Sequence, residues 1–184
     1  MTNEKNYMLS WGEYDKLCYQ LAEKITNDNT AFNNIICIAR GGLVIGRVLA
    51  DILDLPLHVI YTQRYKKGSK ETYSVIRLTD VLGTSKFGGN ILVVDDITDE
   101  GITMKTVVEK IKSMVDINTV KSATLFHKPR SVFTPDYYIK TTNDWIVFPY
   151  EVCEYCLDSG QEKCPKGVTE KGVCHRNKKS QKNG

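Results

Sequence analysis

The sequence of 184 residues has no apolar run long enough for a signal peptide or a membrane span, and its first residues, Met1 to Asn6, are polar. It also lacks a charge excess. A formal net charge of +3 is too small to argue for a nucleic-acid partner or an anionic membrane surface. Internal repeats are missing, and compositional bias is confined to a Lys/Asn-rich end after His175. With 41% hydrophobic and 26% charged residues, what remains is ordinary globular composition. These absences lead to the expectation of a soluble, cytoplasmic protein with one main domain and a small appendage.

Cysteine usage is uneven. Cys18 and Cys37 sit in apolar patterns and read as core residues, whereas Cys153, Cys156, Cys164 and Cys174 crowd the C-terminus. In a reducing compartment, clustered thiols point to a metal more than to disulfides. Cys153-Glu-Tyr-Cys156 has chelate spacing, Cys164-Pro-Lys-Gly167 resembles a zinc knuckle with one cysteine missing, and Cys174-His175 could complete a site. Four thiolates suit tetrahedral Zn²⁺, in a structural or subunit-contact role. Unpaired thiols on a tail and an iron–sulfur cluster are the other readings. The expected division is a main domain over residues 1–151 and a Cys-rich extension over 152–184.

Hydrophobic periodicity gives the main elements. Ser10 followed by Glu13 makes a capping box, and Trp11, Tyr14, Leu17, Cys18, Leu21, Ala22 and Ile25 then recur at helical spacing. Aliphatic runs at Ile35 to Ala39, Leu57 to Tyr61, Ile91 to Val94 and Val120 to Phe126 read as strands. Leu43 to Leu53 and the face Met104, Val107, Val108, Ile111, Met114 read as helices. Thr62 to Glu71, basic and polar, is expected as an exposed loop, with Thr72 to Leu78 returning as a strand. Tyr137 to Ile139 and Trp145 to Phe148 complete the sheet. Alternation of strand and helix implies an α/β fold, a parallel sheet flanked by helices. Ligands in such sheets sit beyond the carboxyl ends of the strands.

The most informative stretch is Ile91-Leu92-Val93-Val94-Asp95-Asp96-Ile97-Thr98-Asp99-Glu100-Gly101-Ile102-Thr103. An aliphatic strand runs into paired acids, a third acid, a glycine and a hydroxyl, and then a helix begins. The orphan amides and dipole of that helix start favour an anion. A solvated acidic turn after a core strand is the plainer alternative, and it accounts for one Asp better than for three acids followed by Gly-x-Thr.

At these residues the chain resembles the phosphoribosyltransferases, whose signature is an aliphatic strand, two acids, two further residues and Asp-x-Gly-x-Thr. Glu100 and Ile102 depart from the family pattern, which more often has Thr or Ser and Lys or Gly there. Ile38-Ala39-Arg40-Gly41-Gly42-Leu43-Val44 alone reads as a strand-to-helix turn with a surface Arg. Beside the signature it resembles the pyrophosphate loop of 6-oxopurine enzymes of the xanthine–guanine and hypoxanthine–guanine type. Tyr7-Met8-Leu9-Ser10-Trp11, Phe126-His127-Lys128-Pro129, Asp144-Trp145-Ile146 and Phe148-Pro149-Tyr150-Glu151 are similar to further segments of those enzymes.

The resemblance implies the type I phosphoribosyltransferase fold and a purine-salvage activity. Ribose 5-phosphate would pass from phosphoribosyl pyrophosphate (PRPP) to hypoxanthine, guanine or xanthine. It implies a PRPP site of Asp95, Asp96, Asp99, Glu100, Gly101, Ile102, Thr103, Arg40 and Gly41, with Asp99 catalytic. It implies a purine site of Lys128, Trp145 and Ile146, and Mg²⁺ carried mainly by PRPP near Asp95 and Asp96. Homodimers or homotetramers are expected. Lys128 on its own could be a solvated lysine, Trp145 a core residue, and His58 and His127 packed or surface histidines. A PRPP-sensing regulator with a zinc-finger-like tail, and a transferase for another base, are the competing functions.

Overall fold

The computed structural model describes residues 5–67, 70–77 and 87–152. The chain divides into two units, residues 15–143 and residues 1–14 with 144–184. In the first, β2 (Asn34–Ala39), β3 (Leu57–Lys67), β4 (Lys70–Arg77), β5 (Gly89–Val94), β6 (Ile97–Thr98), β7 (Ile117–His127) and β8 (Tyr137–Thr141) build the sheet, with helices α2 (Gly42–Leu53) and α3 (Ile102–Lys112). The second holds β1 (Asn6–Met8), β9 (Trp145–Val147) and the start of α1 (Trp11–Thr26).

Among the described residues, seven strands join in the order β4-β3-β2-β5-β7-β6, with β8 also paired to β7. All neighbours are parallel except β3 and β4. β2 lies between β3 and β5, so successive connections leave it in opposite directions. That reversal is where an open α/β sheet splits its strand ends to admit a ligand.

Strand alternation sorts the core. Ile36, Ile38, Ile60, Ile91, Val93 and Val120 share a face and cluster with Met104, Val107, Val108 and Ile111 of α3. The intervening Cys37 points the other way, against α2, where a Cβ on Gly46 would come 2.5 Å from the Cys37 Cβ. Each aliphatic side chain fully buried in this way contributes roughly 1.5–3 kcal/mol. Cys18 and Cys37 are buried, and burial pushes the Cys37 thiol up to about 11, so Cys37 is not poised as a nucleophile.

The capping box is formed. Glu13 N donates to Ser10 Oγ at 3.2 Å, and Ser10 N to Glu13 Oε2 at 3.1 Å. The apolar stripe Tyr14, Leu17, Cys18, Leu21, Ala22 and Ile25 is buried, with Trp11 exposed at its start. At the other end of α1, Lys24 Nζ donates to Tyr138 O at 3.0 Å, and Lys121 pairs with Asp28 at 2.7 Å.

Two expectations are corrected. Among the described residues, Thr62 to Glu71 is strand and not loop: β3 runs to Lys67 and pairs antiparallel with β4 from Lys70, with Tyr65 opposite Thr72 and Lys66 opposite Glu71. The basic composition suggested a solvated connection. A sheet edge accommodates such charges, and the Thr and Tyr of both arms suit a strand. Trp145 to Phe148 does not close the main sheet either. β9 pairs in parallel with β1, joined by Trp145 N to Lys5 O at 2.9 Å and Leu9 N to Val147 O at 3.0 Å. The N-terminal segment, too polar to read as a strand, satisfies those backbone groups.

His58 is a packed core histidine. Its Nε2 donates to Asn34 Oδ1 at 2.8 Å, and Asn34 Nδ2 donates onward to Gly88 O at 2.9 Å. Nδ1 has no partner among the described residues, so a second proton there would find no acceptor, and burial lowers the pKa. His127 is lowered by burial as well. As pH falls through the ordinary histidine value of about 6.5, the unfolded chain takes up protons that the folded chain resists. Stability present above that pH should therefore be lost below it. Denaturant unfolding at pH 7.5 and 5.5 should show the decline, and His58→Gln should shrink it. An equal decline in the variant would contradict this assignment.

Candidate active site

The candidate site residues of the residue 15–143 unit lie at four strand ends, those of β2, β5, β6 and β7. After Val94 the chain does not leave the sheet at once. Asp95 N donates to Ala123 O at 3.1 Å, while Asp96 O accepts from Leu125 N at 3.1 Å and Phe126 N at 3.2 Å. The acids are thus held along β7. Asp96 is buried, Asp95 is half-buried, and Asp96 N donates to Asp95 Oδ1 at 3.0 Å.

The turn after β2 lies directly on this pair. A Cβ on Gly41 would collide with the Asp96 carboxylate, and one on Gly42 would come 2.6 Å from Val94 O. Glycine is required here by close approach, not by φ. Arg40 follows a cis peptide at Ala39–Arg40 and is exposed.

The turn after β6 opens α3. Gly101 has φ 78°, which favours glycine, and no side chain caps the helix. The amides of its first turn, at Ile102 and Thr103, are left without the usual Ser or Asp cap. An anion there gains roughly 0.3–1 kcal/mol from the dipole, and up to about 2 in a partly buried setting. This turn is fastened to the segment after β7. Lys128 N donates to Thr98 O and Val132 N to Glu100 O, both at 2.9 Å. Ser131 Oγ donates to Phe133 O at 2.7 Å and accepts from Phe133 N at 3.2 Å. The Gly101 backbone presses against this loop so closely that a Cβ would strike Ser131 Oγ and come 2.8 Å from Phe133 N.

The fastening brings Asp99 and Lys128 together. Lys128 is 1% exposed, which excludes a solvated surface lysine. Its Nζ lies 3.6 Å from Asp99 Oδ1. Arg130, which the sequence reading passed over, donates to the same oxygen from Nε at 2.8 Å and Nη2 at 2.6 Å. Its signal was available: a second basic residue two positions after Lys128, in the turn beyond a strand end. His127 is packed, with Nδ1 at 3.0 Å from Thr98 Oγ1 and its ring against Tyr138.

Trp145 and Ile146 belong to the other unit, on β9. Trp145 is 48% exposed, which removes the reading of it as a core residue, and Ile146 is buried. In that unit Phe148 stacks on Tyr150, and Tyr14 meets both edge-on. Cys153, Cys156, Cys164 and Cys174 lie outside the described residues. Among the described residues no group of three or more His, Cys, Asp or Glu could hold a metal ion, and no helix is long and apolar enough to cross a membrane.

Residues 10–155 match the family model for the phosphoribosyl transferase domain. The chain belongs to the phosphoribosyltransferase family. It is 28% identical over 160 residues to the xanthine-guanine phosphoribosyltransferase of Cereibacter sphaeroides, covering 83% of this chain and 90% of that one. Over 132 residues it is 29% identical to the hypoxanthine-guanine phosphoribosyltransferase of Staphylococcus epidermidis, covering 68% and 70%. The solved purine phosphoribosyltransferase of Pyrococcus horikoshii is similar at 35% identity and a TM-score of 0.67, over 79% of this chain and 93% of that one. A Neisseria gonorrhoeae protein solved with bound ppGpp matches at 25% identity and a TM-score of 0.70, over 82% and 92%.

In this phosphoribosyltransferase two strand-end turns each require a glycine, for two different reasons, and each can be tested. Gly101→Ala should lower unfolding free energy by about 1 kcal/mol or more, because an L-residue is strained at that φ and the Cβ meets backbone. Gly41→Ala should cost less stability, since the atoms it meets belong to a side chain, but it should displace the Asp96 carboxylate and weaken ligand binding. Equal stability of Gly101→Ala and the wild type in denaturant titrations would contradict the described turn.

Proposed function

We propose that this chain transfers the ribose 5-phosphate group of PRPP to a 6-oxopurine, giving the nucleoside monophosphate and pyrophosphate in purine salvage. One observation carries the reading: a buried lysine, Lys128, stands beside a carboxylate, Asp99, at the edge of an uncapped helix start. An ammonium only donates. Lys128 therefore suits the O6 of hypoxanthine, guanine or xanthine and opposes the amino group of adenine. Asp99 takes the proton from purine N7 or steadies the charge that develops there.

The other residues divide the rest of the substrate. The 5-phosphate sits on the amides of Gly101, Ile102 and Thr103, with Glu100 beside them. Asp95 and Asp96 accept hydrogen bonds from the ribose hydroxyls. Arg40 and Gly41 meet the pyrophosphate, and Trp145 stacks on the base while the Ile146 main chain meets its edge. Loss of the pyrophosphate leaves oxocarbenium character at the sugar. Adjacent carboxylates with no third ligating side chain grouped with them among the described residues fit Mg²⁺ bound chiefly through substrate oxygens and water, near Asp95 and Asp96, where it would neutralise the leaving group's charge. Homodimers or homotetramers in the cytoplasm, and a structural zinc on the four C-terminal cysteines, complete the proposal. Metal analysis of the purified full chain tests the zinc.

A PRPP sensor would have no need for a buried lysine next to Asp99, so the enzyme is favoured. The neighbour holding ppGpp supports one addition: a guanosine polyphosphate should compete with PRPP for the same anion turn.

The decisive assay incubates the protein with PRPP, Mg²⁺ and a panel of nucleobases and follows pyrophosphate release. Release is expected with 6-oxopurines and not with adenine. Asp99→Asn should lower turnover by about 10²-fold or more while leaving PRPP binding nearly unchanged. Release with adenine alone, or equal loss of turnover and PRPP binding in Asp99→Asn, would overturn the assignment.

A further inference from the structure

Thr98 and His127 are register partners across β6 and β7. Their side chains share a hydrogen bond, Thr98 Oγ1 to His127 Nδ1 at 3.0 Å, and both residues are buried. The next residue of each segment belongs to the candidate site. Asp99 follows Thr98, Lys128 follows His127, and Lys128 Nζ lies 3.6 Å from Asp99 Oδ1. Thr98 is tied twice, since its carbonyl accepts from Lys128 N at 2.9 Å. The imidazole is backed in turn. Its centroid is 5.0 Å from that of the Tyr138 ring on β8, and Lys24 Nζ of α1 sits 5.1 Å over that ring and donates to Tyr138 O at 3.0 Å.

Packing alone does not call for this pair. Valine has nearly the shape of threonine and suits a strand, and a phenylalanine ring would rest on Tyr138 as an imidazole does. Burying a hydroxyl and an imidazole carries a desolvation cost that an apolar pair avoids. What the polar pair adds is direction. Apolar contact is non-directional, whereas a hydrogen bond fixes distance and angle. β6 is two residues long, so few backbone bonds set its alignment, and the directional pair stands at its last residue, one step before Asp99. We propose that Thr98 and His127 are positioning residues that align Asp99 with Lys128. The pair acts through the backbone: turning Thr98 away from His127 also moves the carbonyl that holds Lys128 N. The proposal deepens the 6-oxopurine reading and rests on it for its kinetic consequence, while the geometric consequence stands without it.

The test compares Thr98→Val, which keeps the shape and removes the hydroxyl, with Thr98→Ser, which keeps the hydroxyl, both in the full chain. Thr98→Val should lower kcat/KM for the 6-oxopurine about tenfold with the KM for PRPP within about twofold. Thr98→Ser should stay within about twofold of the wild type on both counts. Wild-type kinetics in Thr98→Val, or an equal fall in Thr98→Ser, would overturn the proposal. His127→Phe, which keeps a ring against Tyr138, should lose as much as Thr98→Val, and the double variant no more than the worse single one. Losses that multiply would mean two unconnected residues and overturn it too. In a crystal structure of Thr98→Val without ligand, the Asp99 to Lys128 separation should differ from 3.6 Å by about 0.5 Å or more; an unchanged separation contradicts the role. If Thr98→Val folds poorly, His127→Phe takes its place under the same outcomes. Should the wild type release no pyrophosphate with any 6-oxopurine, the substrate reading falls, and that separation alone judges the pair.

Discussion

The candidate site rests on a seam between two chain segments, the turn Thr98 to Gly101 and the loop Lys128 to Phe133. Two backbone hydrogen bonds, an ion pair and a glycine pressed against a serine hydroxyl hold them in register. Neither segment is a regular element, and neither would keep its shape alone. Joined, they fix an open helix start, a carboxylate and a buried lysine within one small volume. A sugar phosphate and a base need that combination at once, since one end of the product is an anion and the other an array of donors and acceptors.

The sheet explains why the seam can be built. β7 is long enough to pair with β5 along its first part and with β6 at its far end. Asp95 and Asp96, which link β5 to β6, stay bonded to β7 and do not drift into a loop. The acids are therefore presented on a rigid edge, and the Gly41–Gly42 turn from β2 can settle on them from the neighbouring strand end. Polar groups that would be costly in a core are placed where the sheet splits, with α3 and its aliphatic cluster anchoring the rear.

Much of this was legible from residues. The aliphatic runs gave the central strands, because a buried parallel strand has no polar face to obscure it. The capping box and the stripe Tyr14 to Ile25 gave α1. Asp95, Asp96, Asp99 and Gly101 announced a strand-to-helix turn. What was not legible depends on partners distant in sequence. The Lys/Arg-rich second half of β3 and the first residues of β4 read as loop, because antiparallel pairing shows in the register and not in the charge. The pairing of β9 with β1 joins segments from opposite ends of the chain, and short polar β1 carries no pattern of its own. Arg130 was visible as a second basic residue after Lys128, but its partner Asp99 lies 31 residues away in sequence.

One measurement bears most directly on the account, a titration of the isotopically labelled protein with Mg²⁺ and PRPP followed through backbone amide resonances. Saturable shifts centred on Gly101, Ile102 and Thr103, with smaller ones at Gly41, are the predicted result. Saturation that leaves those amides unmoved while others respond would contradict it.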